Sequence, residues 1–532
     1  MARAAAVARM LARSSAPAAA PAHIEAAPAP KSMHPYRGAE QRRQWRGWQP
    51  QHRSGDAAIT ENWDLLTARM RDLCRNEPVM RSLKRAMAKH VVGPGIATFA
   101  DVHDLAGESD DLVNFEFDDE FEHWSEHEAD AEGKFAWPQM QWQHFNEVME
   151  SGESFLLECS DTTPGRYTPI CFQLLEPEQI DPTKDWASGG KGRENKCVRG
   201  IEYDAVGRPV AYWIFDAHPY DRYSGWTAKS TRVPASRVIH SYFPSRASEN
   251  RGVTWFAANV QSTKDLDWYL GNELTAAALA ALLTLVHKRA KGGGGSGIGF
   301  EGGASSTFGD TDEWGNALLK WGRGVVAEIP VGDELEVAES KRPSRDAAPF
   351  VKLILGLNAM AAGVSPLRVT GDYSQSSYTS ARGAHLDDQA FFTVLQNWAI
   401  RSFVRKVRCR HTQVAAGIGL YRSVSARVVA ANLRNYLRVI AQAPGREQLD
   451  PEKETGAAGQ RLDACLSTWQ DECGARGKNW RRVVMQQARE RAFMREYGIE
   501  PNLSGGSPPA NQPANAGDDH ELKTEDEADA AA

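Results

Sequence analysis

One helix stands out in the hydrophobic pattern. Phe350, Leu353, Ile354 and Leu357 repeat at i, i+3, i+4 and i+7, which places an apolar stripe on one face. Pro349 suits the first turn, and Gly363 and Pro366 end the run, so the helix is predicted over 349–363. A second long helix is predicted from Ala381 to Val407. Residues 253–288 lack proline and are rich in Ala and Leu, which predicts one helix or two in tandem ending at Lys288, Arg289 and Lys291. Near the start, Ile59 to Met87 are good helix formers interrupted by Asn76-Glu77-Pro78. Two helices joined there are expected, followed by a turn at Gly93-Pro94-Gly95. Trp137 to Met149 is helical in pattern and stops at Gly152. Phe155–Leu157, Phe172–Leu175 and 200–215, the last turning at Gly207-Arg208-Pro209, have strand character. Val325–Ile329 and Leu335–Ala338 are short strand candidates around Pro330-Val331-Gly332-Asp333. Together these elements predict an α+β chain, mainly α, with no internal repeat.

Composition divides the chain further. The segment from Met1 to about Pro30 is rich in Ala with scattered Arg, Ser and Pro, and has no acid before Glu25. That resembles an organellar transit peptide. A disordered arm is the favoured reading, because Ala and Pro without large apolar residues do not offset the entropy of ordering. Residues 101–132 hold fourteen acids and no Lys or Arg, expected to form a solvated or flexible surface. Residues 292–309 are Gly- and Ser-rich and are expected to be a flexible loop. From Gln389 to Arg446 there are ten Lys/Arg and no acid. After about Ser504 the tail is rich in Pro, Asn and acids. The net charge of −7 argues against a protein whose whole surface grips nucleic acid. The seven cysteines are odd in number and contain no CxxC, which speaks for reduced thiols in a cytoplasm and against a disulfide framework. The longest apolar run, Leu274 to Val286, is shorter than the roughly 20 residues that span a bilayer, so no membrane partner is expected.

Motifs for chemistry are sparse. Gly292–Gly297 satisfies GxGxxG, but it follows a predicted helix and opens into more glycine, so a flexible loop is favoured over a dinucleotide cradle. His123-Trp124-Ser125-Glu126-His127 spells HxxEH. On a helix, His123 and His127 would share a face and could hold zinc, with Glu126 as base. The acidic surroundings make a chance glutamate expected, and no third ligand is singled out. A zinc metallopeptidase is therefore the alternative function. No GxSxG or Cys/His pair marks a nucleophile. Arg401, Arg405, Lys406, Arg408 and Arg410 suit a nucleic-acid patch, a solvated helix face, or an interface meeting the acidic 101–132 segment of a neighbour. The last two are favoured. No catalytic residue, metal or cofactor is assigned.

Five segments in order resemble the lambda-type portal family of tailed bacteriophages. They are Arg71-Asp72-Leu73-Cys74-Arg75-Asn76-Glu77-Pro78 with Val91-Val92-Gly93-Pro94-Gly95; Gly152-Glu153 with Leu175–Asp181; and Gly200–Asp204 with Gly207-Arg208-Pro209 and Ala211-Tyr212-Trp213. The fourth is Arg232–Ala235 with Val238-Ile239-His240 and Arg251–Trp255. The fifth is Ala361–Pro366 with Thr370–Ser374 and Tyr378–Arg382. The likeness covers about Tyr36 to Gly498. The chain departs from the family at Ser377, where Asn is usual, and at Leu386-Asp387, where Leu-Glu is usual. Its Gly-rich loop and acidic stretch also look expanded.

The resemblance implies a non-enzymatic ring of identical subunits, usually a dodecamer, at one capsid vertex, through which double-stranded DNA passes without sequence readout. It implies a portal fold: a disordered arm (1–35), an α/β wing (36–250), a first stem helix (251–288), a small β-containing clip (289–345), and a second stem helix (346–365). A tunnel loop and long wing helix (366–404), a helical crown (405–500) and a disordered acidic tail (501–532) complete it. Tyr373, Ser374, Gln375, Ser376, Ser377, Tyr378 and Arg382 are the channel-loop candidates. Arg382 either brakes DNA or anchors the helix, and the anchor is favoured. Asp333, Glu334 and Glu336 are the clip candidates for docking the terminase large subunit and later the head–tail adaptor. The wing would contact the major capsid protein. The expected locations are the virion and, during assembly, the host cytoplasm. A capsid structural protein without a channel is the second alternative.

Overall fold

A proline splits the first helical run as expected. Helices α1 (Gly55–Thr60), α2 (Trp63–Asn76) and α3 (Pro78–Val91) open the described fold, with Pro78 in the first turn of α3. Trp63, Thr67, Met70, Leu73 and Cys74 form the buried stripe of α2, and Met80, Leu83, Met87 and Val91 that of α3. Both follow the helical period that puts one face on a core. This is a computed structural model. It describes residues 47, 50–104, 106–187, 195–223, 228–282, 286–288, 300–301, 326–327, 334–336, 347–374, 376–445 and 450–498. Residues 1–53 form a separate unit, in which the Arg53 guanidinium donates to Gln51 Oε1 at 3.2 Å.

The chain continues through β1 (Ala97–Ala100), α4 (Asp111–His127), α5 (Trp137–Ser151), β2 (Glu153–Ser160) and β3 (Ile170–Leu175). Then come β4 (Lys196–Val198), β5 (Ile201–Tyr203), β6 (Pro209–Phe215), β7 (Ser230–Pro234) and β8 (Val238–Tyr242). Two antiparallel sheets result, ordered β3-β2-β8 and β4-β5-β6-β7. Phe155 and Val238 of the first sheet pack with Ile201, Tyr212 and Ile214 of the second. The main core joins α2, α3 and α5 to the inner face of β2 and β3 and to Phe392, Leu395, Ala399 and Phe403 further along the chain.

The second half holds α6 (Asn259–Leu282), α7 (Ala347–Ala362), α8 (Pro366–Thr370) and α9 (Tyr378–Ala399). Between α6 and α7, four short strands pair as β9 (Val286–Lys288) with β12 (Glu334–Glu336) and β10 (Phe300–Glu301) with β11 (Val326–Ala327). A π-helical stretch, Ile400–Val404, carries α9 directly into α10 (Arg405–Gly417). There follow α11 (Ala426–Ala431), α12 (Leu433–Tyr436), β13 (Val439–Gln442), α13 (Pro451–Asp463), α14 (Trp469–Gly474) and α15 (Trp480–Glu496).

Three expectations are corrected. The first stem segment is not helical throughout to Lys288: Val286–Lys288 is a strand, because it pairs with Glu334–Glu336. The 405–500 region is not wholly helical, because Val439–Gln442 pairs with Ala97–Ala100 and ties it to the start of the fold. The acidic 101–132 stretch is no mere solvated surface: within it, α4 buries Val113, Phe117, Phe121 and Trp124. The Gly-rich 292–309 loop lies outside the described residues except for Phe300–Glu301. The fold is thus mixed helix and sheet and mainly helical, with small sheets.

One backbone crossing organises the molecule. Gly152 ends α5 with φ +99, and the chain preceding α6 passes directly over it. A Cβ on Gly252 would lie 2.1 Å from the Gly152 carbonyl oxygen, and one on Gly152 would lie 2.2 Å from the Val253 carbonyl carbon. Both neighbours are backbone, so neither can swing away. Gly252→Ala is expected to destabilise by about 1–3 kcal/mol or more through overpacking. Gly271→Ala, where a Cβ meets nothing within 4 Å, is the matched control and is expected to be neutral or slightly stabilising. Thermal melts of the two variants make the comparison.

Candidate functional site

Helices α6 and α7 lie side by side and are locked at one end by buried amides. Asn259 Nδ2 donates to the Asn358 carbonyl (2.8 Å) and to Asn358 Oδ1 (3.0 Å), and Ser262 Oγ donates to the same Oδ1 at 2.6 Å. Trp255 Nε1 donates to the Ala362 carbonyl at 2.9 Å, fixing the end of α7. Away from this lock the pair opens to the surface. The apolar stripe that predicted α7 is not its core face: Phe350, Leu353 and Leu357 are 44–59% exposed, while Asn358, Ala359 and Ala362 are buried. Trp268 and Leu274 on α6 and Met360 on α7 are each 72% exposed. Periodicity finds an apolar face but does not say whether the same chain covers it.

The segment between α7 and α9 is held at its base by Asp388. Its carboxylate accepts from Ser365 N (2.8 Å), Ser365 Oγ (2.6 Å) and Arg368 Nε (3.2 Å). Gly363, at φ +84, makes the turn beneath the Phe391 ring. Beyond Gly371 the chain is almost free of net charge. Asp372 accepts from Ser374 N (3.1 Å) and Ser374 Oγ (2.5 Å) and pairs with Lys352 Nζ at 3.1 Å. The Ser374 hydroxyl first, and Lys352 second, hold its carboxyl down at about 2. Ser377 caps α9 by accepting from Ser380 N at 3.2 Å. Tyr373, Ser374, Ser377, Tyr378 and Arg382 are exposed and Ser376 half-buried; Gln375 lies outside the described residues. Arg382 lines an open groove of about 740 Å³ with Lys453, Glu454 and Arg461. Of the clip candidates, Glu334 and Glu336 sit on β12, opposite Lys288 and Val286 on β9. Asp333 lies outside the described residues.

His123 and His127 do share a face of α4, with rings stacked at 5.0 Å. His127 Nδ1 bonds the His123 carbonyl at 3.2 Å, and His123 packs edge-on against Tyr167. Among the described residues no third ligand joins them. The one group with metal-ligand spacing there is Glu176, Glu178 and His218, and Arg71 already pairs with both glutamates, at 3.3 and 2.8 Å.

The basic stretch is not a single solvated face. Arg408 is buried and meets Asp118 of α4 in the same chain at 2.7 Å. Burial raises the Asp118 carboxyl, and Arg408 pulls against that rise. Arg410 grips Glu158 at 2.6 and 2.9 Å, and Arg405 donates to the Val439 carbonyl at 3.3 Å. The acidic and basic stretches therefore meet within one chain.

No role was assigned from sequence to Glu153, His240 and Arg251, yet they form the deepest charged cluster. Glu153 is fully buried. Its carboxylate accepts from Arg251 Nε (2.6 Å) and Gly252 N (3.1 Å) and bonds His240 Nε2 (2.9 Å). Arg251 also donates to the Arg199 carbonyl at 2.7 Å. Burial acts to raise the Glu153 carboxyl, but Arg251 and His240 outweigh it and hold it at about 2. The available signal was that all three fall inside the family-like segments Gly152-Glu153, Val238-Ile239-His240 and Arg251-Gly252.

A family model described as "Phage portal protein, lambda family" matches residues 41–396. The chain is 25% identical over 516 residues to the "Probable portal protein" of Halomonas phage phiHAP-1, covering 96% of this chain and 95% of that protein. It is 24% identical over 491 residues to "Portal protein B" of Escherichia phage lambda, covering 86% and 89%. A chain in the solved structure titled "Neck of empty GTA particle computed with C6 symmetry" aligns over 81% of this chain and 94% of its own. The TM-score is 0.37 and the identity 13%. The protein is thus a structural component of a phage virion, not an enzyme. It belongs to the lambda family of phage portal proteins.

Proposed function

We propose that copies of this chain close into a ring, a dodecamer, at one capsid vertex and pass double-stranded DNA during packaging and ejection. The observation that carries the reading is the apolar surface of α6 and α7, which the described residues leave exposed, whereas α2, α3, α4 and α5 bury their apolar stripes. Exposed apolar area on this scale marks an interaction surface, and in a ring the neighbouring copy covers it. In this reading 36–250 is the wing, 251–288 and 346–365 are the stems, and 289–345 with Asp333, Glu334 and Glu336 is the clip that docks the terminase large subunit and then the head–tail adaptor. The wing meets the major capsid protein, residues 405–500 are the crown, and assembly takes place in the host cytoplasm. Residues 371–382 line the channel. Their hydroxyls and the neutralised Asp372 suit a loop past which phosphates slide, because strong phosphate binding would release counterions and make DNA stick. Arg382 anchors the start of α9 beside the Lys453 and Glu454 groove.

Negative-stain imaging of the purified chain should show rings with a central hole. The double variant Leu353→Glu/Met360→Glu should yield non-ring species with an unchanged melting curve at low concentration, since neither side chain is buried in the single chain. Rings that persist in the variant would sink the assignment of this face.

A further inference from the structure

A basic groove beside α3 is independent of the ring reading. The end of α2 supplies Arg75, and α3 supplies Arg81 and Arg85 one turn apart, all three exposed. They rim an open cleft of about 410 Å³ whose far wall is α5, with Trp142 among the residues that line it. The two carboxylates in the cleft are already engaged: Glu147 pairs with Arg71 at 2.6 Å, and Glu150 with Lys84. Among the described residues no hydrogen bond or ion pair engages the side chains of Arg75, Arg81 or Arg85. Three guanidinium groups are therefore in excess. Trp142 also lines an adjoining cleft of about 490 Å³, which holds Lys89 and extends to Arg476, just before α15. The two clefts share Trp142 and make one basic track leading towards the last helix.

The chain carries its own counterpart. Residues 499–532, outside the described residues, hold eight acids and one lysine, a net −7, equal to the net charge of the entire chain. Residues 1–498 therefore balance to zero. Seven of the eight acids fall between Asp518 and Asp529. Distance permits the contact. Helix α15 is tied to α4 by Arg481–Asp111 and Arg482–Glu122, each at 3.0 Å, and α4 packs on α5, the wall of the groove. Packed helices lie about 8–10 Å apart. The linker from Gly498 to Asp518 can extend to about 65–70 Å at about 3.3–3.6 Å per residue.

We propose that the acidic segment 518–529 docks in the groove rimmed by Arg75, Arg81 and Arg85, on its own copy or a neighbour, and keeps that groove closed to other polyanions. A groove of guanidinium groups left open would hold phosphate-bearing polyanions. A covalent acidic occupant at high local concentration prevents that without tight binding.

Zero-length carbodiimide coupling of the full-length chain at low salt tests the contact. Peptides joining carboxylates of 518–529 to Lys84 or Lys89 are expected. They should vanish in Arg75→Glu/Arg81→Glu/Arg85→Glu and fade in high salt. Circular dichroism and melting of that variant should stay as in the parent, because the three side chains are exposed. Coupling spread evenly over other surface lysines such as Lys196 and Lys229, or unchanged in the triple variant, overturns the proposal. A second arm uses a short single-stranded oligonucleotide as probe. Neutralising the tail acids to Asn and Gln in the full chain should raise its affinity about tenfold or more, and the three Arg→Glu changes should remove that gain. Equal oligonucleotide affinity with and without tail charge, lost only in the triple variant, would assign the groove to phosphate and sink the tail as its occupant.

Discussion

Glu153→Gln is expected to lower the unfolding free energy by about 3–5 kcal/mol, because it strands the buried charge of Arg251. Glutamine keeps the size and one acceptor, so the loss is charge and not packing. Arg251 is fully buried and approaches Glu153 Oε1 at 2.5–2.6 Å, with no solvent to replace it. The double variant Glu153→Leu/Arg251→Met should be milder than Glu153→Leu or Arg251→Met alone, since a buried pair replaced as a pair leaves no bare charge. Urea denaturation of the two singles and the double measures this directly. A double variant that loses as much as the sum of the singles would mean that the two groups act independently. The position of the cluster matters as much as its energy. Gly252, next to Arg251, donates its N–H to Glu153, and seven residues later α6 begins. The carboxylate thereby fixes the direction in which the exposed helix pair leaves the sheets.

How far the sequence carried depends on whether each signal was local. The α2–α3 break at Pro78, the stop at Gly152 and the turn at Gly207–Pro209 are properties of a few adjacent residues, and the structure has them. Long-range pairings were not legible. Val439–Gln442 has no strand signature that would outrank its helical flanks, and it becomes a strand only because Ala97–Ala100 offers an edge. Likewise, fourteen acids in 101–132 mask a helix whose apolar residues alternate with them. Phe117, Phe121 and Trp124 carry the helical period, and the charge hid it. Arg408 illustrates the same limit. A count of basic residues suggests a surface patch, but one of them is the partner of Asp118, 290 residues away. The channel-loop candidates form one contiguous stretch of sequence. The Glu153 cluster draws on residues nearly a hundred apart, and only resemblance to a family had marked them.

Acid should destabilise the fold well before its ordinary carboxylates titrate. His144 and His411 are fully buried, and neither ring nitrogen of either has a hydrogen-bond partner among the described residues. His144 packs on the Phe403 ring at 4.5 Å, and His411 lies between Phe121 and Trp124 at 5.2 and 5.0 Å. Burial drives the His144 imidazole down to about 3. It drives His411 well below its usual value, with Arg408 adding to the effect. Burial also lowers His240, against the pull of Glu153. An unfolded imidazole takes up its proton near pH ~6.5, whereas the folded ones do not. Stability is therefore full above that pH and falls as the pH drops, by about 1 kcal/mol per unit for each histidine, until the folded values are reached. Carboxyls that burial raises oppose this, Asp118, Glu77 and Glu120 among them and Glu147 above all. Burial raises the Glu147 carboxyl to about 7, so between about pH 7 and 4.5 it takes up a proton in the folded state and offsets one imidazole. The balance is a loss of about 2–4 kcal/mol between about pH 7 and 4.5, measurable as a shift of the urea midpoint. His144→Phe keeps the aromatic contact with Phe403 and removes one titrating group, so its pH slope should be shallower by about 1 kcal/mol per unit. A midpoint independent of pH over that range, or a His144→Phe slope equal to the parent's, would show that the imidazole gains a proton acceptor or water in the folded chain.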